Sequence, residues 1–462
     1  MRDTGGEVPV RVAALALTLL WAACAGPGGI DAPDAGRTAT YEPGVPAFDL
    51  EAVAAFRADT AGLDVYTSLV PSSLALVRAD TGFAARYELA LRIRDARGRE
   101  TEAFQAFADT LVVPTAEAGR QAERIRRRTW FPLAPGRWTV EATLEDRNTG
   151  ERTVRRQRLD VPEEAGPWLG RPLVYGPDDA LPTSALHLPA DGTVRTVRTE
   201  TRGLPPSAVL DAALYRLAAD TSVAHPPFWL GVPRGSLAYR GLDTERPADT
   251  LLVTTARPSL DTGTVEVLLP LLDPGVYRFV LALPDTGEAA ALRQERALSV
   301  QRPDFPNVTT LDALIEALAY IAYPNELEHV RSGATARERR LRFDAFWGAL
   351  VPDRRVAGNL LRQYAERVEE ANVRFTGVKA GWKTDRGMIY ILFGAPGYVE
   401  PTFEGEVWHY GTTGEQAGTF TFERVGWGEA IAPFEHLLLV RQPIYERAWL
   451  RARERWRSGE VR

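Results

Sequence analysis

At 462 residues, 45% apolar and 25% charged, the chain is too long for one core, and about three domains of roughly 100–200 residues are expected. This ordinary composition excludes wholesale disorder and a polytopic membrane protein, and a net charge of −6 without a basic stripe argues against a nucleic-acid partner. The basic residues are almost all arginine: only Lys379 and Lys383 are lysine, and they flank Gly381 and Trp382.

Residues 1–24 read as a targeting segment, with Arg11, an apolar run over 12–21 and the small residues Ala22 and Ala23 before Cys24. Cys24 is the only cysteine, so no intrachain disulfide forms. A lone cysteine closing an export segment and followed by Ala25-Gly26-Pro27-Gly28-Gly29 resembles the lipobox of bacterial lipoproteins. That likeness implies diacylation of the thiol and membrane attachment through a lipid anchor, with 25–59 as a flexible tether. An ordinary cleaved signal with an incidental cysteine is the alternative.

An internal repeat organises the next two domains. Leu133-Ala-Pro135-Gly136-Arg-Trp138 and Leu272-Asp-Pro274-Gly275-Val-Tyr277 place leucine, proline, glycine and an aromatic at identical spacing. Period-two alternation follows each copy, with Trp138, Val140, Ala142 and Leu144 on one face, and Tyr277, Phe279, Leu281 and Leu283 likewise. Polar turns close the strands at Asp146 to Gly150 and at Asp285 to Gly287. Residues 85–94 also alternate and end at a turn. A Pro-Gly turn feeding an aromatic at a strand head resembles a late strand of an immunoglobulin-like sandwich. The expectation is two tandem immunoglobulin-like β-sandwiches over 60–162 and 170–302, joined by linkers at 163–167 and 302–306.

Beyond Pro306 the period becomes helical. Leu311, Leu314, Ile315 and Leu318 follow the candidate caps Thr309 and Thr310. A second helix opens with the capping box Thr335-Ala-Arg-Glu338 and buries Phe343, Phe346, Trp347 and Leu350. A third starts near Arg354, with Leu361, Tyr364, Val368, Ala371 and Phe375 on one stripe. Strands are expected at 388–393, 406–410, 419–423 and 437–440, the first a central buried strand launched by an Asp385-Arg386-Gly387 turn. Tyr445, Trp449, Ala452 and Trp456 line one face of a closing arginine-rich helix; docking on its own domain is favoured over lying on an anionic membrane. Helices packed on a small antiparallel sheet make 308–462 an α+β domain, and the whole chain multidomain, mainly β plus α+β.

Gly381-Trp382-Lys383-Thr384-Asp385, then Arg386-Gly387 and MIYILFGAPG, resembles the GWxTD domain of exported proteins and lipoproteins in Bacteroidetes-related bacteria. The likeness takes in Phe346-Trp347, residues 364–375 and Val407-Trp408-His409-Tyr410. Val351-Pro352-Asp353 and Asn359-Leu360 depart from the family's Asp-Pro step and Asn-Glu pair. The resemblance implies architecture and a cell-envelope location in the outer membrane, periplasmic or surface-facing, and no activity.

Motifs for a nucleophilic serine, zinc, a nucleotide phosphate or a dinucleotide are absent from the sequence. Glu404, Glu406 and Trp408 are expected on one strand face with His409 on the other, so no metal site and no cofactor is expected. Two readings of the motif stay open. In one, Trp382 is a core plug, Lys383 is solvated, and Thr384 and Asp385 satisfy local backbone. In the other, Trp382, Lys383, Thr384, Asp385 and Arg386 sit at a strand mouth and grip a sugar or a peptide carboxylate. The function expected is a non-enzymatic lipoprotein that binds or scaffolds an envelope protein or glycan, with the sandwiches as stalk. An envelope hydrolase using Asp385 with His409 and a purely structural component are the alternatives.

Overall fold

The computed structural model describes residues 45–461 except 59, 164–165, 185–186, 206, 260, 285–291, 403, 412–417 and 427–433. The targeting segment, Cys24, the start of the tether and the turn at Asp285 therefore lie outside the described residues.

Strands β1 (Phe48–Arg57) and β2 (Thr60–Leu69) form a hairpin, followed by β3 (Val77–Ala79), β4 (Gly82–Arg94), β5 (Glu100–Val113), a short helix α1 (Ala116–Arg120), β6 (Ile125–Pro132), β7 (Gly136–Asp146) and β8 (Arg152–Val161). One sheet runs β1-β2-β6; the other runs β3-β4-β7-β8, with β5 also paired to β4. These two antiparallel sheets form a β-sandwich, as expected, and Phe48, Leu63 and Val65 meet Leu91, Val140 and Leu144 in its core. The boundary expected at 60 is corrected, because β1 lies inside the stretch read as tether. Its outward residues Asp49 and Glu51 suggest solvent, yet Asp49 pairs with Arg124 of its own sandwich and Glu51 with Arg296 of the second.

The second sandwich repeats the plan with β9 (Trp168–Leu169), β10 (Leu173–Tyr175), β11 (Leu188–Pro189), β12 (Thr196–Arg202), β13 (Leu210–Ala219), a short helix α2 (Leu237–Arg240), β14 (Leu242–Ala256), β15 (Thr264–Leu268), β16 (Gly275–Leu283) and β17 (Leu292–Gln301). Its sheets run β10-β12-β15, with β9 also on β12, and β11-β17-β16-β13-β14. The repeated aromatic does the same job twice. Trp138 Nε1 donates to the carbonyl of Ala134 at 2.9 Å, and Tyr277 Oη to that of Asp273 at 2.7 Å, each pinning the strand head to the turn four residues back. Between the sandwiches, Arg296, 1% exposed, grips Glu51, with Nη2 to Oε2 at 2.6 Å. Burial pushes the Glu51 carboxyl up, but Arg296 holds it below the usual range. Arg126 to Asp179 at 2.8 Å and Phe56 edge-on to Trp168 at 5.1 Å complete the joint.

The C-terminal domain comprises α3 (Leu311–Ala317), α4 (Pro324–Arg331), α5 (Ala336–Leu350), α6 (Arg354–Phe375), α7 (Asp385–Phe393), β18 (Tyr398–Pro401), β19 (Gly405–Tyr410), β20 (Gly418–Arg424), β21 (Leu437–Leu439) and α8 (Tyr445–Ser458). The strands form one antiparallel sheet in the order β18-β19-β20-β21. Helix α8 docks Tyr445, Trp449, Ala452 and Trp456 into the domain, as its stripe implies.

One element is corrected: residues 388–393 are not a strand but most of helix α7. Thr384 holds extended backbone, and its hydroxyl accepts from the Gly387 amide at 3.0 Å, a helix N-cap in place of the expected turn. Residues 385–392 are all buried, and a helix apolar on every side has no periodicity to betray it.

Candidate functional site

Each residue of the motif has a structural task. Gly381 passes so close to α6 that a Cβ would stand 2.0 Å from the carbonyl oxygen of Ala371, and a Cβ on Gly387 would stand 2.0 Å from that of Gly381. These two glycines let the turn before α7 press on α6 and on α7 itself. Trp382 is 3% exposed, with its ring edge-on to Tyr320. Its amide donates to Asn372 Oδ1 at 3.2 Å, and its carbonyl accepts from Tyr320 Oη at 2.7 Å. Arg386 lies over the Phe375 ring at 5.2 Å and pairs with Glu406 at 3.6 Å. Asp385 is buried and accepts from the Leu439 amide at 2.8 Å and from both terminal nitrogens of Arg441 at 2.7 and 3.0 Å.

The cations reach outward, into the second sandwich. Lys379 Nζ bonds Asp220 Oδ2 at 2.6 Å and the carbonyl of Ser222 at 3.2 Å. Lys383 Nζ bonds Glu316 at 2.8 Å and the carbonyl of Thr221 at 3.1 Å, and stands 5.1 Å over the Trp382 ring. Arg441, held by Asp385, donates to the carbonyl of His225 at 3.2 Å, and the Gln442 amide donates to that of Pro227 at 3.1 Å. Val223, Ala224 and Phe228 pack on the C-terminal core. The two lysines of the chain and the motif aspartate thus build a socket for the loop 220–230, which follows β13. Burial pushes Asp220 up, yet the charge and hydrogen bond of Lys379 hold it below the usual carboxylate range. Beside the loop, Val378 and Phe434 pack with Leu217, Leu242, Val276 and Ala297, and Ser299 Oγ donates to the carbonyl of Gly377 at 3.1 Å.

The strand-mouth reading therefore changes at every residue. Trp382 is enclosed, Lys383 is neither solvated nor free, Thr384 caps a helix, and Asp385 and Arg386 are paired inside the domain. Asp385 and His409 have separate partners, Asp385 pairing with Arg441 and His409 with Glu400 at 3.2 Å. Glu406 accepts from Trp408 Nε1 at 2.9 Å, and its strand alternation stands as expected. His436 donates to the carbonyl of Tyr239 across the joint at 3.3 Å, and burial pushes it down to about 4. What opens beside the socket is a groove of about 870 Å³ lined by Arg302, Asp312, Glu316, Arg331 and Arg339, with Arg339 already on Asp312 at 3.3 Å.

Sequence reasoning missed Asp220, Tyr320, Asn372 and Arg441, the partners that give the motif its meaning. The one available signal was the confinement of lysine to positions 379 and 383 in an arginine-rich chain.

Residues 286–458 match the GWxTD domain, so the resemblance carried by the motif is a family match. The match begins ahead of the helices and takes in β17, the strand whose Ala297 and Ser299 touch the segment before the motif. A crystal structure of a tetra-tandem repeat in the extending region of a large adhesion protein aligns with 55% of this chain at 15% identity and a TM-score of 0.16, too slight a likeness to carry an argument. The chain spans about half, 50%, of the length of that solved chain. No curated protein matches.

Proposed function

We propose that this chain, whose C-terminal part is a GWxTD domain, is a non-enzymatic lipoprotein of the bacterial cell envelope that holds three modules as one scaffold and presents them to an envelope partner. The observation that carries the reading is the socket: the charged groups of the motif are spent on an internal joint, Lys379 on Asp220 and Asp385 on Arg441. A nucleophile, base and orienting group need side chains free to meet a substrate, and these are not. The Glu51–Arg296 pair closes the other joint, which suits a stalk that transmits position rather than flexes. The hydrolase alternative finds no support in Asp385 and His409, which have separate partners.

Anchoring rests on Cys24 and is tested by labelling expressing cells with palmitate. Label on the wild-type chain, and its loss together with release from the membrane fraction in Cys24→Ser, is the expected outcome. Label that survives the substitution, or a wild-type chain recovered unlabelled in the soluble fraction, overturns the anchor.

A further inference from the structure

The docked loop leaves an apolar tip in solvent. Trp229 is 42% exposed and Leu230 63%, and two residues before them the carbonyl of Pro227 accepts from the Gln442 amide. Two residues beyond Gln442 stands Ile444, 75% exposed, at the start of α8. Three large exposed apolar side chains, drawn from two modules, therefore lie within three residues of the backbone bond that joins those modules. The socket assembles this patch.

Helix α8 continues it with charge. At about 100° per residue, Ile444, Arg447, Arg451 and Arg455 fall within about 80° of one another, on the side away from the buried Tyr445, Trp449, Ala452 and Trp456. The three arginines are exposed and pair with no carboxylate among the described residues. Glu454, on the flank of the stripe, is drawn to the Tyr323 hydroxyl at 2.8 Å.

We infer that this patch, the Trp229-Leu230 tip with Ile444 and the arginine stripe of α8, is a docking face for an anionic lipid bilayer. Three apolar side chains fall far short of the roughly 800 Å² per partner of a stable protein interface. They suit shallow insertion at the headgroup boundary, where tryptophan is favoured and each arginine adds about five-fold in binding. The inference deepens the envelope reading and borrows from it that a membrane is within reach. Its test does not depend on the anchor.

The full chain carrying Cys24→Ser is sedimented with vesicles of phosphatidylglycerol and phosphatidylethanolamine, and with phosphatidylcholine vesicles as control. The expected result is binding to the anionic vesicles only, lost as salt is raised. It falls about 25-fold in Arg447→Ala with Arg451→Ala, and falls also in Trp229→Ala and in the socket variant Lys379→Met. These arginines and Trp229 lie at the surface, so unchanged thermal melting accompanies the loss. Equal binding to both vesicle types, binding untouched by the arginine substitutions, or no vesicle binding overturns the inference. So does a dimer, seen by sedimentation velocity without lipid, that Ile444→Asp dissociates, since the face then belongs to a second copy. Failure of the palmitate test with vesicle binding intact removes only the anchor.

Discussion

Replacing Lys379 by methionine removes one half of the pair that holds the loop 220–230. The side chains of Lys379 and Asp220 are 7% and 9% exposed, so the stranded carboxylate cannot recover its hydration. Breaking a buried pair from one side costs about 3–5 kcal/mol. Asp220 keeps bonds from the Ser222 amide at 3.1 Å and the Ser222 hydroxyl at 2.6 Å, which places the loss near the lower end, about 3 kcal/mol. Asp220→Asn strands the ammonium instead and costs a similar amount. The double variant Lys379→Met with Asp220→Asn loses less than the sum, with a coupling of about 2 kcal/mol. Urea unfolding followed by tryptophan fluorescence, which reports mainly on the Trp-rich C-terminal domain, measures each corner of the cycle. A coupling below about 0.5 kcal/mol, the value of an exposed pair, refutes the claim that these charges hold the joint.

Gly381→Ala drives a Cβ to 2.0 Å from the carbonyl of Ala371, backbone against backbone, so it destabilises the C-terminal domain by about 3 kcal/mol or prevents its folding, read as a lowered unfolding midpoint. Tyr277→Phe loses the bond to the carbonyl of Asp273 and costs about 1–2 kcal/mol in the second sandwich, measured by the same unfolding. His436 is held neutral, its folded pKa of about 4 lying below the unfolded 6.5. The unfolded state then takes up the proton first, so the stability this group allows is complete above pH 6.5 and falls by about 3 kcal/mol as pH drops towards 4. His436→Gln flattens that part of the stability profile, measured by denaturation at a series of pH values.

The β-rich architecture was legible because a sandwich strand with one wet face alternates, and the repeat around Trp138 and Tyr277 marked equivalent corners in both modules. Strand β1 was not, since its outward Asp49 and Glu51 look solvated in the sequence but meet Arg124 and Arg296 in the fold. Helix α7 misled for the opposite reason: enclosed on all sides, it carries no period, and only Thr384 followed three residues on by Gly387 hinted at a cap. The motif was found without its meaning, because Asp220 lies 159 residues from Lys379 and nothing local announces the pairing.

The central claim is that the motif holds the loop of the second sandwich rather than a ligand. Hydrogen exchange on the wild-type chain and on Asp385→Asn tests it most directly, at the Gln442 amide and across 220–230. Asparagine keeps the shape and loses the charge that aims Arg441 at the carbonyl of His225. The account expects slow exchange in the wild type and much faster exchange at these positions in the variant, with the first sandwich unchanged. Fast exchange at the joint in the wild type, or protection that survives Asp385→Asn, contradicts it.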